Sequence, residues 1–198
     1  MYIPPWAFYQ EKEWDQLNIF YLDNDTKTCA EMHVDKHCVK MILEYAQLLS
    51  TTHRLLDGTE GIRISSLGRK KKTWNLPDDR NELMYSCTHA NHPSAVWTRA
   101  SDKNYMWLAD LLEKLCEEYT YRYGKVHKTQ AIGLVDMLKN RLPTNIPVGL
   151  FTEPTPAMPE HHKVPGNSML SYQNYYIGDK SRMFSWKKRE QPSWIQQT

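Results

Sequence analysis

No stretch of this 198-residue chain is apolar for long enough to cross a membrane, and its first residues hold no apolar core of the signal-peptide kind. The expectation is a cytoplasmic protein with no membrane partner. Cysteine is sparse: Cys29, Cys38, Cys87 and Cys116 include no Cys-x-x-Cys pair and read as reduced, packed thiols rather than a disulfide frame. A glycine-rich phosphate loop is missing, and so is the strand–turn–helix elbow of a serine nucleophile. Excess charge is missing too. The net value of +2 rules out polyelectrolyte character.

What is present is an ordinary globular composition, 40% hydrophobic and 24% charged, of a length that suits one domain with a sizeable core. Seven Trp and twelve Tyr are many for this length, and two basic runs stand beside Trp residues. Arg69-Lys70-Lys71-Lys72 is followed by Trp74, and Trp186 precedes Lys187-Lys188-Arg189. Cations interleaved with aromatics suit a nucleic-acid groove, where phosphates meet the cations and bases stack on rings. Short basic runs are also commonly solvated loops, and composition alone leaves both explanations open.

Hydrophobic periodicity and punctuation predict an all-α, single compact domain. Residues 1–17, with Trp6, Phe8, Tyr9 and Trp14, read as an aromatic arm. The spacing predicts a helix over roughly 26–56, capped by Asp25 or Thr26 and stopped near Gly58. Residues 57–82 read as a basic loop insertion. Helices are expected after His92-Pro93, from Ser101 or Asp102 through Tyr123 to Gly124, over about 127–141, and from Ser168 to Trp186. Six prolines between Pro143 and Pro165 predict an extended strap over 143–166.

The most informative stretch runs from His33 to His53. Val34, Cys38, Met41, Tyr45 and Leu48 form its apolar stripe, while His33, Lys36, His37, Lys40, Glu44 and Gln47 file along the other face. Such a face is ordinarily a solvated ladder of ion pairs. Here two imidazoles, two ammoniums, a carboxylate and an amide stand together, groups able to move protons, form Schiff bases or hold phosphate. Two further clusters are candidates to join it. One runs from Cys87 through His89 and His92 to Trp97 and Arg99, with His92 at a helix start that favours an anion. The other is Tyr121-Arg122-Tyr123-Gly124-Lys125, with His127 and Lys128, which serves equally as a basic helix end or a phosphate site. A zinc ion could use His33 and His37, completed by His53, His89, His92 or the His161-His162 pair. Lys36 and Lys40 on the same face disfavour it, so no metal or other cofactor is expected.

The pattern Asp35-Lys36-His37-x-x-Lys40-x-x-x-Glu44-x-x-Gln47-Leu48, followed by Asn91-His92-Pro93-x-x-x-Trp97 and a long Tyr/Trp-rich helix, resembles the pyrimidine-dimer DNA glycosylases. These are small helical enzymes also called endonuclease V in the dimer-excising sense. The resemblance spans roughly residues 30–125. The chain also resembles uncharacterised phage proteins that begin near Asn-Ile-Phe-Tyr-Leu-Asp. The resemblance implies glycosylase or glycosylase/lyase chemistry on a damaged or modified base in double-stranded DNA, in the cytoplasm of an infected bacterium. An amine would attack C1′, the base would leave, and a carboxylate, by position Glu44, would face the developing cation. His37, His92 and Lys40 would be the other catalytic groups. Lys36, Arg99, Arg122, Lys125, Arg69 and Lys70 would hold phosphate, and Trp74 or Trp97 would stack on an extruded base. One departure matters. The family's nucleophile is a free N-terminal amine, whereas seventeen residues precede the matching Asn18; the open alternatives are a Met1 amine folded back, Lys36 or Lys40 as substitutes, or water activated by Glu44 without strand cleavage. A nucleotide- or host-factor-binding protein without turnover, a base-modifying transferase and a zinc hydrolase remain the competing classes. Oligomeric state is left open.

Overall fold

A computed structural model describes residues 17–64 and 68–195. The predicted aromatic arm therefore lies, apart from Leu17, outside the described residues. The chain is mostly helical, with α1 (Thr26–Met32), α2 (Asp35–Asp57), α3 (Arg80–Leu83), α4 (Pro93–Thr98), α5 (Asp102–Tyr123), α6 (Lys128–Ala131), α7 (Leu134–Asn140) and α8 (Ser168–Tyr175). It is not strictly all-α. Strands β1 (Thr59–Ile64) and β2 (Lys70–Asn75) form an antiparallel hairpin inside the stretch that the sequence presented as a loop.

The core lies between α2 and α5. Cys38, Met41, Ile42, Tyr45, Leu48 and Leu49 from α2 and Tyr105, Leu108, Leu111, Leu112 and Leu115 from α5 are all fully buried. Each large apolar side chain so buried contributes about 1.5–3 kcal/mol. Ile19, Phe20, Tyr21 and Leu22 close the core at the N-terminal side. The helix ends follow local chemistry. Asp25 caps α1 by accepting the Thr28 N–H, Ser101 caps α5 by accepting the Asn104 N–H, and Gly124 closes α5 at φ 66°.

The single helix expected over 26–56 is two. Its break at His33–Val34 has a buried cause in α5. The guanidinium of Arg122 donates to the carbonyls of Glu31 (2.8 Å) and His33 (2.9 Å), supplying partners for carbonyls that the ending helix leaves without one. The same side chain pairs with Glu118 at 2.6 Å and with Asp35 at 3.0 Å. Likewise the helix expected over 127–141 is interrupted by Gly133 at φ 80°, a left-handed conformation that side chains rarely adopt.

Past α8 the expected helix ends early, widening through a π turn (Tyr176–Lys180) and then tightening in a 3₁₀ turn (Ser181–Met183). The proline-bearing segment 143–166 runs without long regular elements past the start of α5. There Pro147 accepts the Asp102 N–H, Asn104 accepts the Thr152 N–H, and a 3₁₀ turn forms at Glu160–His162. Among the described residues no helix is long and apolar enough to cross a membrane.

Candidate nucleic-acid interface and buried carboxylate

The polar face of α2 is only partly a surface. Lys36 and Lys40 are exposed, whereas His33, His37 and Glu44 are buried. His33 is satisfied at both ring nitrogens. Its Nδ1 lies 2.7 Å from the Cys29 carbonyl, which can only accept, so this nitrogen carries the proton. Its Nε2 then accepts from the Tyr45 hydroxyl at 2.8 Å. Burial holds this imidazole neutral, with a pKa lowered to about 4. His37 stacks on Phe20 at 4.2 Å, and its Nδ1 lies 2.7 Å from the Tyr176 hydroxyl. Burial, helped by the nearby His33, Lys180 and Lys40, keeps its pKa well below the ordinary histidine value. The zinc pair read from His33 and His37 is thus corrected: His33 has no nitrogen left to give a metal.

Glu44 is different in kind. One carboxyl oxygen lies 3.0 Å from Lys40 Nζ, while Oε2 is buried without a hydrogen-bond partner among the described residues. The Leu17 and Asn18 amides act on the carboxyl group but close no bond to Oε2. Burial raises its pKa above the usual carboxylate value despite the cation of Lys40. The backbone beside it is also unusual, because Leu17 sits at φ 61°, a conformation costing a non-glycine residue about 1–2 kcal/mol. An orphaned buried oxygen next to a strained residue is where a functional carboxylate is expected.

The second feature is a groove of about 590 Å³ between the hairpin and the segment Asn81–Cys87. Its lining includes Arg54, Arg63, Lys71, Lys72, Trp74 and Cys87, and no acidic residue among the described residues. The hairpin's register makes the charge deliberate. Arg63 stands directly opposite Lys71, a like-charge cross-strand pair that weakens a sheet. Lys72 on the same strand is paired with Glu60 at 2.8 Å. Beneath the groove, Arg54 is buried and donates to the carbonyls of Tyr85, Trp74, Asn81 and Met84 and to the Asn81 side chain. Among the described residues it makes no ion pair, so its charge is dispersed over carbonyl dipoles rather than cancelled. Arg99 bonds the Ala90 carbonyl at 2.7 Å, and with Arg54 and Lys71 it lies close enough to act on the Cys87 thiol. A carboxylate-free wall with these cations attracts polyanions.

The structure therefore joins Lys71 and Trp74 at one groove, places Arg99 within electrostatic reach of Cys87 in its lining, and leaves Glu44 apart. Ten helical residues, about 15 Å at 1.5 Å per residue, separate Glu44 from Arg54 along α2. Arg69 and Lys70 are exposed on the hairpin, and Lys125 is exposed beyond Gly124. His92 is the N-cap of α4, its Nδ1 accepting the Ser94 N–H at 3.2 Å. Two expectations are corrected. Arg122 has no exposed side-chain surface and serves the α1–α2 break rather than a phosphate. Trp97 is buried, with its indole N–H on Thr152, and offers no face to a base. Sequence reasoning missed Arg63, Arg54 and Asn81. The alternation Ile62-Arg63-Ile64 was the available signal for a strand.

Family models, curated proteins and solved structures, each searched for likeness to this chain, return no match.

Proposed function

We propose that this protein is a DNA-processing enzyme of the glycosylase type, with Glu44 as the carboxylate that faces the sugar when the base departs. The observation that carries the reading is the Glu44 carboxyl group, buried, held at one oxygen by Lys40 and, among the described residues, unpartnered at the other. In base release the C1′–N bond breaks, its electrons leave with the base, and positive charge builds on the deoxyribose. A fixed anion in a water-poor setting stabilises that charge far more than solvent does. The ionised form is the useful one, so the raised pKa places the acid limb of activity above the ordinary carboxylate range.

The groove supplies the grip. Its separation from Glu44 by about 15 Å along α2 corresponds to four or five base steps at about 3.4 Å each. Phosphates on the hairpin would then flank the processed nucleotide rather than belong to it. Lys40 is the amine nearest the carboxylate and the candidate for covalent attack; without such attack, water takes up the C1′ position and the strand stays intact. The second reading is a nucleic-acid-binding protein without turnover, favoured by one fact: the basic groove is complete without Glu44. The DNA reading places the protein in the cytoplasm of an infected bacterial cell.

The test is base release and strand cleavage on duplexes carrying a pyrimidine dimer or an abasic site, with borohydride present to trap a Schiff base. Glu44→Gln is expected to keep DNA binding and lose about 10²–10³ of the rate, as removal of one transition-state electrostatic partner does. Trapping at Lys40, abolished in Lys40→Arg, assigns the amine. Binding by the wild type with no turnover on any duplex leaves the protein a binder and sinks the enzyme reading.

A further inference from the structure

The 3₁₀ turn at Glu160–His162 places two adjacent imidazoles against the π turn that follows α8. The ring centroids of His161 and His162 are 4.0 Å apart, tilted by 48°. His162 Nε2 lies 3.2 Å from Asp179 Oδ1, and one ligand atom from each of His161, His162 and Asp179 falls within 4.8 Å of the others. We propose that these three side chains bind one divalent transition-metal ion of the zinc class.

Three observations carry this independently of the DNA reading. The first is the state of His162. Its side chain is only 8% exposed, yet among the described residues Nε2 closes no hydrogen bond; the Asp179 oxygen stands at ion-pair distance without hydrogen-bond alignment. A buried ring nitrogen left without a partner is costly, and a metal ion satisfies it directly. The second is spacing. Two tetrahedral ligands bound at about 2.1 Å lie about 3.4 Å from each other, close to the His162–Asp179 separation. The third is the backbone that brings Asp179 there. A side chain at Gly178 would place its Cβ 2.3 Å from His162 Cε1, so only glycine lets the π turn press onto the ring. Single π turns recur at functional sites for this reason: they re-aim one side chain within a helical run.

The ligand set is two imidazoles and one carboxylate, suited to zinc and its neighbours rather than to calcium or magnesium, which prefer all-oxygen shells. His161 and Asp179 are exposed, so a fourth position would open to solvent and hold water. The nearby ammonium of Lys163 is offset by Glu160 at 2.8 Å. A bound ion would also tie the proline-bearing segment to the end of α8, two stretches that otherwise meet through side chains and a few hydrogen bonds. Its effect would then be visible as stability as well as binding.

The experiment uses the full chain, stripped with chelator and dialysed. Zinc is titrated by calorimetry, and cobalt by its visible absorption. One equivalent of each ion should bind, and the cobalt spectrum should develop the intense visible bands of a low-coordinate site. Zinc should also raise the melting temperature. His161→Ala and Asp179→Asn each change an exposed ligand and should melt like the wild type without metal. Each should bind zinc at least tenfold more weakly and lose most of the thermal gain. Absence of saturable binding in the micromolar range overturns the proposal. So does one-equivalent binding that both substitutions leave unchanged, because the ion would then sit elsewhere.

Discussion

Replacing Lys71 by Glu separates the hairpin's fold from its proposed task, because the two should respond with opposite signs. In the fold, Lys71 faces Arg63 across the strands, so Glu converts a repulsive pair into an attractive one. Cross-strand charge pairs are worth about 0.2–1 kcal/mol, so the melting temperature should hold or rise slightly. Toward DNA the change should be costly. Arg63, Lys71 and Lys72 line the groove, and Arg69 and Lys70 extend the same edge. With about three to five phosphates neutralised, log K should fall against log salt with a slope of about −2.7 to −4.5. That is a loss of about 40- to 500-fold in affinity between 50 and 200 mM salt. In Lys71→Glu one cation is gone, and Arg63 is drawn to the new carboxylate. The slope should flatten by about 0.9 to 1.8, and affinity at 0.1 M salt should drop by about 8- to 60-fold. The assay is fluorescence anisotropy on a labelled duplex across that salt range, with thermal melting of both proteins. A wild-type slope near zero, or a stable Lys71→Glu protein with unchanged slope and affinity, would show that the groove does not hold phosphate.

Three further outcomes are expected. Glu44→Gln removes a carboxyl group whose folded pKa is raised, a group whose contribution is full at acid pH and lost as pH rises through that raised value. The glutamine protein should therefore be as stable as the wild type at pH 7 or slightly more so while losing turnover; a clear loss of stability in urea would mean that the charge is structural. His33 and His53, both buried with pKa values lowered to about 4 from 6.5, have the opposite sign. Their contribution is full above pH 6.5 and lost as pH falls to about 4, at most about 3 kcal/mol each, so the urea midpoint should fall across that window. A midpoint flat from pH 6.5 to 4.5 contradicts it; Asp78, held down to about 2 chiefly by its hydrogen bonds to Arg80, gives way only at lower pH. Arg122→Met takes the cation from Glu118 and Asp35 and strips two carbonyls of their donor. A cost of about 3–5 kcal/mol in denaturant unfolding is expected, and a cost under about 1 kcal/mol would remove Arg122 as the cause of the α1–α2 break.

What the sequence made legible was whatever local chemistry decides. The α5 boundaries could be read because Ser101 and Gly124 set both ends within one turn, and α4 could be read from His92-Pro93. The break before α2 could not. Nothing between Thr26 and Asp57 forbids a continuous helix; the interruption depends on a guanidinium from residue 122, a partner set only by the tertiary fold. The hairpin was hidden by composition, since three consecutive lysines and a glycine lower strand propensity, and its pairing is anchored from below by Arg54.

The same limit applies to function, where a side chain's type proved a weaker guide than its set of partners. Arg122 and Arg54 are both buried guanidiniums, and a sequence gives no reason to treat them differently. Arg122 meets two carboxylates, so its charge is cancelled within the fold and it has nothing left for a ligand. Arg54 meets carbonyl oxygens and one side-chain amide, so it is fully hydrogen-bonded while its positive charge persists under a groove already lined by cations. Hydrogen-bond satisfaction and charge compensation are separate conditions. A fold that meets the first and leaves the second open at several neighbouring positions carries a standing electrostatic cost, which an incoming polyanion relieves. By the same logic Glu44 is the converse case, compensated in charge by Lys40 and, among the described residues, left short of a hydrogen bond at Oε2. The groove is therefore open to charge and the carboxyl group to a close polar or cationic partner, the two demands that a nucleic-acid backbone and a developing sugar cation would meet.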